Sequence, residues 1–145
     1  MSISAAIKEM TEKEWDAQLF NSKKGVATMT GWTSYHTLRS RGSQPGFPDR
    51  TLYRDRVIFA ELKAERGKPT ERQIEWLTGL AGAGAEVYLW QPGDLDEIGL
   101  ILSGQWVWLP GQHKLVPKHM PPGEPTVGWQ PCSLWLREGR RAGSA

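Results

Sequence analysis

A run of six residues, VIFAEL at positions 57–62, limits what this chain can become more than any other stretch. Four apolar side chains in succession leave no polar face, so the segment reads as a central strand covered on both sides. Such a strand needs a layer above and a layer below, and the flanking sequence offers helices for both. Residues 11–20 open with Thr11, a capping residue, and place Glu12 and Glu14 at the positive end of a helix. Trp15 and Leu19, four apart, define its apolar face; Glu12 lies on that face and Glu14 points elsewhere. Residues 21–30 read as a break followed by a short helix. From Thr70 onward Ile74, Leu77 and Leu80 form one stripe, which Gly82 and Gly84 terminate. WTSYHTL (32–38) and EVYLW (86–90) have the aromatic and β-branched content of strands, and a short helix is expected over 94–102. The order α-β-β-β-α-β predicts an α/β domain: a mixed central β-sheet flanked by helices.

The end of the central run is also where chemistry concentrates. Residues 40–48, SRGSQPGFP, hold two glycines and two prolines and form a loop. Residues 51–53 and 57–63 then make a hairpin around Arg54-Asp55-Arg56. If those three residues close it, Tyr53 faces Val57, Thr51 faces Phe59, and Asp49 faces Glu61. Opposed residues have Cβ atoms about 4.5–5.5 Å apart, and two carboxylates so close repel unless a proton or a cation lies between them. Lys63 projects from the same face and Leu62 from the opposite one. A slip of one residue would separate the carboxylates altogether. Magnesium characteristically takes one or two carboxylates and keeps room for water and phosphate oxygens, where it can polarise a phosphoryl group and activate a bound water. Lys63 could then orient or deprotonate that water, or neutralise charge in the transition state. Pro48 favours an extended approach to Asp49, and Gly46 permits a close backbone contact. Against this stands plain surface decoration, since Glu-x-Lys alone is common; yet acids and lysines are poor strand residues.

Composition removes several classes. A length of 145 residues suits one domain. The single cysteine, Cys132, cannot build a disulfide framework or a zinc cage and fits a reducing compartment. No apolar run approaches the roughly 20 residues a bilayer requires. MSISAAIKEM lacks the basic start and apolar stretch of a signal peptide, so neither secretion nor membrane insertion is expected. Neither Ser43 nor Cys132 has the context of a nucleophilic triad. The net charge is +2, but residues 39–72 carry nine Lys/Arg against five acids, a local +4 suited to phosphate or simply to solvation. Residues 104–145 hold six of the ten prolines and four of the eight tryptophans with no sustained period, and read as an extended appendage packed on the core.

Taken together, GFPD ending at Asp49, FAELK ending at Lys63 and GKPTERQ ending at Gln73 resemble the VRR-NUC group of the PD-(D/E)XK nuclease superfamily. TEKEW at the start, GW-x-x-YHT before the loop and AGAEVYLWQPGDLDEI at the end extend the likeness over most of residues 11–103. It is most like the short standalone members of bacteriophages and bacteria. The resemblance implies a restriction-endonuclease-like core within residues 1–103 and Mg²⁺- or Mn²⁺-dependent cleavage of DNA phosphodiesters. It implies Asp49 and Glu61 as metal-binding acids, the Leu62 carbonyl as a main-chain ligand and Lys63 as the catalytic lysine. Gln73 matches a glutamine near the site, although Thr70-x-x-Gln73 is equally a capping box. Glu12 resembles the acid of the first helix, with Glu14 as the alternative. Arg39, Ser40, Arg41 and Ser43 in the loop, Arg66 and Lys68 after the central strand, and His36 are the candidate DNA contacts.

Such relatives also lead one to expect a homodimer acting on branched DNA, including four-way junctions, in the cytoplasm of a bacterium or a phage's host. The competing class is a catalytically inactive nucleic-acid-binding module of the same fold, disfavoured by the joint presence of Asp49, Glu61 and Lys63. A phosphoesterase for small substrates is disfavoured by the basic stretch.

Overall fold

The computed structural model describes residues 3–38, 42–109 and 114–117. In chain order the elements are α1 (Ile3–Lys8), α2 (Glu12–Phe20), α3 (Val26–Met29), β1 (Thr33–His36), β2 (Arg50–Tyr53) and β3 (Val57–Leu62). They continue with α4 (Glu71–Gly82), β4 (Glu86–Trp90), a 3₁₀ turn (Pro92–Asp94), α5 (Leu95–Leu102), β5 (Trp106–Leu109) and β6 (Lys114–Pro117). The strands β1 to β4 form one sheet in that order. Its first two pairings are antiparallel, and β3 pairs with β4 in parallel. A parallel partner needs a crossover between the strands, which α4 supplies. The expected α/β class with a mixed, helix-flanked sheet is what the chain adopts.

Side chains alternate along β3, and each set meets a different layer. Ile58, Ala60 and Leu62 join Trp15 and Leu19 of α2, Ala27 of α3 and Ile98, Ile101 and Leu102 of α5 in one buried core. Phe59, on the other side, packs against Leu77 and Ala81 of α4 with Val87 and Leu89 of β4. This is the double coverage that VIFAEL required. Each buried Leu or Ile stabilises the fold by about 1.5–3 kcal/mol relative to exposure. Coverage ends at β3, however: on the α4 side of β1 and β2, Tyr35 and Tyr53 stay 68% and 58% exposed.

Beyond Ser103 the described residues are extended, as expected, and carry an order that the sequence did not show. They contain a hairpin, β5 against β6, forming a sheet of its own, with Trp106 packed on the main core. Strands of four residues among prolines are too short to show a period, which is why the sequence reads as extended chain. Residues 110–113 and 118–145, the rest of that appendage, lie outside the described residues. No described helix is long and apolar enough to cross a membrane.

Candidate active site

The hairpin register decides the site, and it is the one that brings the acids together. Thr51 pairs with Phe59 and Tyr53 with Val57, so one step beyond the Arg50–Ala60 pair Asp49 stands opposite Glu61. Two reciprocal hydrogen bonds lock them. The Asp49 N–H donates to Glu61 Oε1 at 3.2 Å, and the Leu62 N–H donates to Asp49 Oδ2 at 3.0 Å. Asp49 is also tied to β1, because its carbonyl accepts from the Thr37 N–H at 2.9 Å and the Thr37 hydroxyl donates to the Pro48 carbonyl at 2.8 Å.

The loop before Asp49 is docked on α4, and glycine is what permits it. Gly46 has φ +95°, and a Cβ there would fall 2.6 Å from the Arg72 backbone. Phe47 meets Trp76 and Phe59 edge-on, at 5.1 and 6.0 Å between ring centroids, and the Trp76 indole N–H donates to the Pro45 carbonyl. The close approach expected of Gly46 is therefore present.

Glu61 is fully buried, and its second oxygen has no hydrogen-bond partner among the described residues. Lys63 Nζ lies 3.8 Å from that oxygen, an ion-pair distance too long for a hydrogen bond. Burial, and then the neighbouring Asp49 carboxylate, push the Glu61 carboxyl up to about 8, while Lys63 pulls the other way and the Glu12 charge adds a smaller upward push. Among the described residues, Lys63 is the one cation that draws the Glu61 carboxyl down. Lys63 itself is held from behind: its N–H donates to the Trp90 carbonyl at 3.1 Å, which also accepts the Trp15 indole N–H.

Asp49 stands between two depressions. A cleft of about 280 Å³ is lined by Glu12, Lys13, Asp16, His36, Asp49 and Leu62. A larger one, about 480 Å³, lies toward α4 and includes Ser43, Gln73 and Thr37. Glu12 thus reaches the site, whereas Glu14 is spent in a capping box with Thr11. Gln73 serves both expected roles in part. Its amide oxygen accepts the Thr70 N–H at 2.8 Å in a capping box, and its side chain still borders the larger depression. Arg66 and Lys68 are exposed on the turn after Lys63. Arg39, Ser40 and Arg41 lie outside the described residues.

Two features escaped the sequence. Asp16 lines the small cleft but is held by Arg50, which donates to its two oxygens at 3.0 and 2.7 Å. Its spacing of four from Glu12 was an available signal, since both must share a helix face. Gln91 is the other: its amide donates to the carbonyls of Ala64, Glu65 and Gly67, gripping the turn that follows Lys63. No local pattern announces such a contact.

The residues present fit a hard divalent cation. Among the described residues no group of three or more His, Cys, Asp or Glu side chains forms a self-sufficient cage, but magnesium asks only for one or two carboxylates and fills its shell with water and substrate oxygens. The unpartnered Glu61 oxygen beside a second carboxylate is what such an ion would satisfy. No family model, curated protein or solved structure matches this chain.

Proposed function

We propose that this chain is a divalent-metal-dependent endodeoxyribonuclease with a restriction-endonuclease-like core, using Mg²⁺ or Mn²⁺. The observation that carries the reading is the fully buried Glu61 carboxylate, opposed to Asp49, with one oxygen left without a hydrogen bond among the described residues. Asp49, Glu61 and the Leu62 carbonyl would hold the metal, which when bound polarises the phosphoryl oxygen and activates water. Lys63, whose side chain is 12% exposed, delivers a cation to the same point and neutralises charge that develops on the phosphate. The Trp90 carbonyl fixes its backbone, so the point from which this side chain extends is set before the reaction. Glu12 and His36 border the cleft where the scissile group would sit, and the exposed Arg66 and Lys68 are suited to flanking phosphates.

DNA as the substrate rests on the basic stretch and on the VRR-NUC resemblance of GFPD, FAELK and GKPTERQ. The same resemblance is the ground for a homodimer and for branched DNA. Incubation with linear, flapped and four-way DNA, with and without Mg²⁺ or Mn²⁺, tests the proposal. Cleavage that needs metal and disappears in Asp49→Asn is expected; Asn keeps an acceptor for the Leu62 N–H, so folding survives. Metal-independent cutting, or an Asp49→Asn protein as active as the parent, overturns it. Binding without cutting would identify the inactive module instead.

A further inference from the structure

The larger depression beside Asp49 is chemically unlike the small one, and the difference points to what enters it. The small cleft carries Glu12, Lys13, Asp16 and His36. The larger has apolar walls, Leu38, Pro45 and Phe47, and neutral polar groups such as Gln44. Arg72 is its one charge besides Asp49 among the described residues, and its ion pair with Glu75 joins two exposed side chains, an arrangement easily exchanged for another anion. A volume of about 480 Å³ falls within the range of small-ligand pockets. Apolar walls, neutral polar groups and one cation together suit a heterocyclic base attached to a phosphate.

The sheet continues the same surface. Tyr35 lies two residues before Thr37, which lines the depression, and alternation puts both on the α4 side of the sheet. Tyr53 shares that side one strand over, diagonal to Tyr35, because Thr33 pairs with Tyr53 and Tyr35 with Thr51. Both residues are exposed. Exposed tyrosines on an open sheet face, next to a pocket with a cation, form a stacking platform for bases without sequence preference.

We infer that this face binds an unpaired DNA strand: one nucleotide base enters the depression beside Asp49, Arg72 meets its phosphate, and the following bases stack on Tyr35 and Tyr53. The inference rests on the nuclease reading for its placement at the scissile phosphate, but its binding surface is testable by itself. A duplex cannot offer bases to it without unpairing, so the surface selects DNA that is already open.

The test is fluorescence anisotropy with the full chain in metal-free buffer at fixed salt. Its probes are an oligothymidylate of about eight nucleotides, an abasic chain of the same length, and a duplex. The abasic chain carries the same phosphates, so its comparison isolates the bases. Oligothymidylate is expected to bind about tenfold tighter than the abasic chain. Tyr35→Ala and Tyr53→Ala, each of which removes a stacking ring, should together erase most of that margin; both sites are exposed and away from the core. Equal binding of the thymidylate and abasic chains, tighter binding of the duplex, or variants that keep the margin overturn the inference. Metal-dependent cleavage assayed alongside separates the two readings: cutting without base preference leaves the nuclease and removes the platform. Base preference without cutting does the reverse.

Discussion

Two glutamates are buried on neighbouring strands of one sheet, and they live opposite lives. Glu86, at the start of β4, accepts from Arg56 through both oxygens, at 2.6 and 3.3 Å, and from the Tyr88 hydroxyl as well. Burial pushes its carboxyl up, and Arg56 opposes that; the pair is matched cation to anion. Glu61, near the end of β3, is equally buried, but it faces another carboxylate, and its lysine stands 3.8 Å from an oxygen that no donor among the described residues reaches. Burying a charge is costly unless it is paired and hydrogen-bonded. One end of the sheet meets that condition in full; at the other, no donor among the described residues meets it. Burial of an acid therefore says little about function until its partners are counted.

The largest expected effects come from crossing the two ends. Lys63→Ala should lower metal-dependent cleavage by about a thousandfold, corresponding to several kcal/mol of transition-state stabilisation, with little change in urea midpoint. Arg56→Met should do the opposite. It strands the Glu86 carboxylate in the core, at a cost of about 3–5 kcal/mol, while the cleavage rate per folded molecule stays near that of the parent. If both substitutions damaged stability alike, the contrast between a satisfied and an unsatisfied glutamate would be gone.

Glu61→Gln sharpens the comparison through pH. The folded-state carboxyl titrates near 8 against an ordinary 4.5, so the folded protein holds its proton longer than the unfolded chain does. Stability is then full below about 4.5 and is lost as pH rises toward 8. In metal-free buffer the parent should weaken over that window. Glu61→Gln should remove that contribution and be the more stable protein above pH 8, by on the order of a few kcal/mol. Added Mg²⁺ should restore stability to the parent and not to the variant. Chemical denaturation at several pH values reads both, and an Mg²⁺ response retained by the variant would sink the assignment of Glu61 as a ligand.

The frame around this end was largely legible, because local rules produce it. A three-residue turn fixed the hairpin register, unbroken apolarity fixed the two-sided burial of β3, and the Gly46 and Thr70-x-x-Gln73 signals are rules about single turns. What stayed hidden was long-range and side-chain in nature. Arg56–Glu86, Arg50–Asp16 and Gln91 with the 64–67 turn join residues more than twenty positions apart, and pairing at that distance leaves no periodic trace. The β5–β6 hairpin was missed because its strands are too short to alternate convincingly. Glu12 and Glu14 could be ranked by helix face, but only the capping bond of Glu14 to Thr11 removes it from the site.

Gly46→Ala probes how far the site depends on that frame. Alanine at φ +95° is strained, and its Cβ would press on the Arg72 backbone at 2.6 Å, so the loop must lift from α4. A cost of about 1–3 kcal/mol is expected. Because Asp49 follows that loop directly, cleavage should fall further than stability. A variant that loses stability with an unchanged rate per folded molecule would show that the hairpin alone positions Asp49.

The smallest effect asks whether the deficit at Glu61 is confined to the carboxylates or runs through the whole end of the sheet. Gln91 answers it, since one amide there serves three carbonyls of the turn carrying Arg66. Those carbonyls are only partly buried, and water can replace part of what Gln91→Ala removes, so a loss of about 1 kcal/mol is expected. Gln91→Glu should cost more than alanine does, because a carboxylate facing three carbonyl oxygens adds repulsion to the missing donors. The ordering of the two variants, read by thermal unfolding with DNA affinity measured alongside, is the informative result. Alanine worse than glutamate would mean that Gln91 acts by filling space, and that the turn after Lys63 is held by packing rather than by satisfied carbonyls.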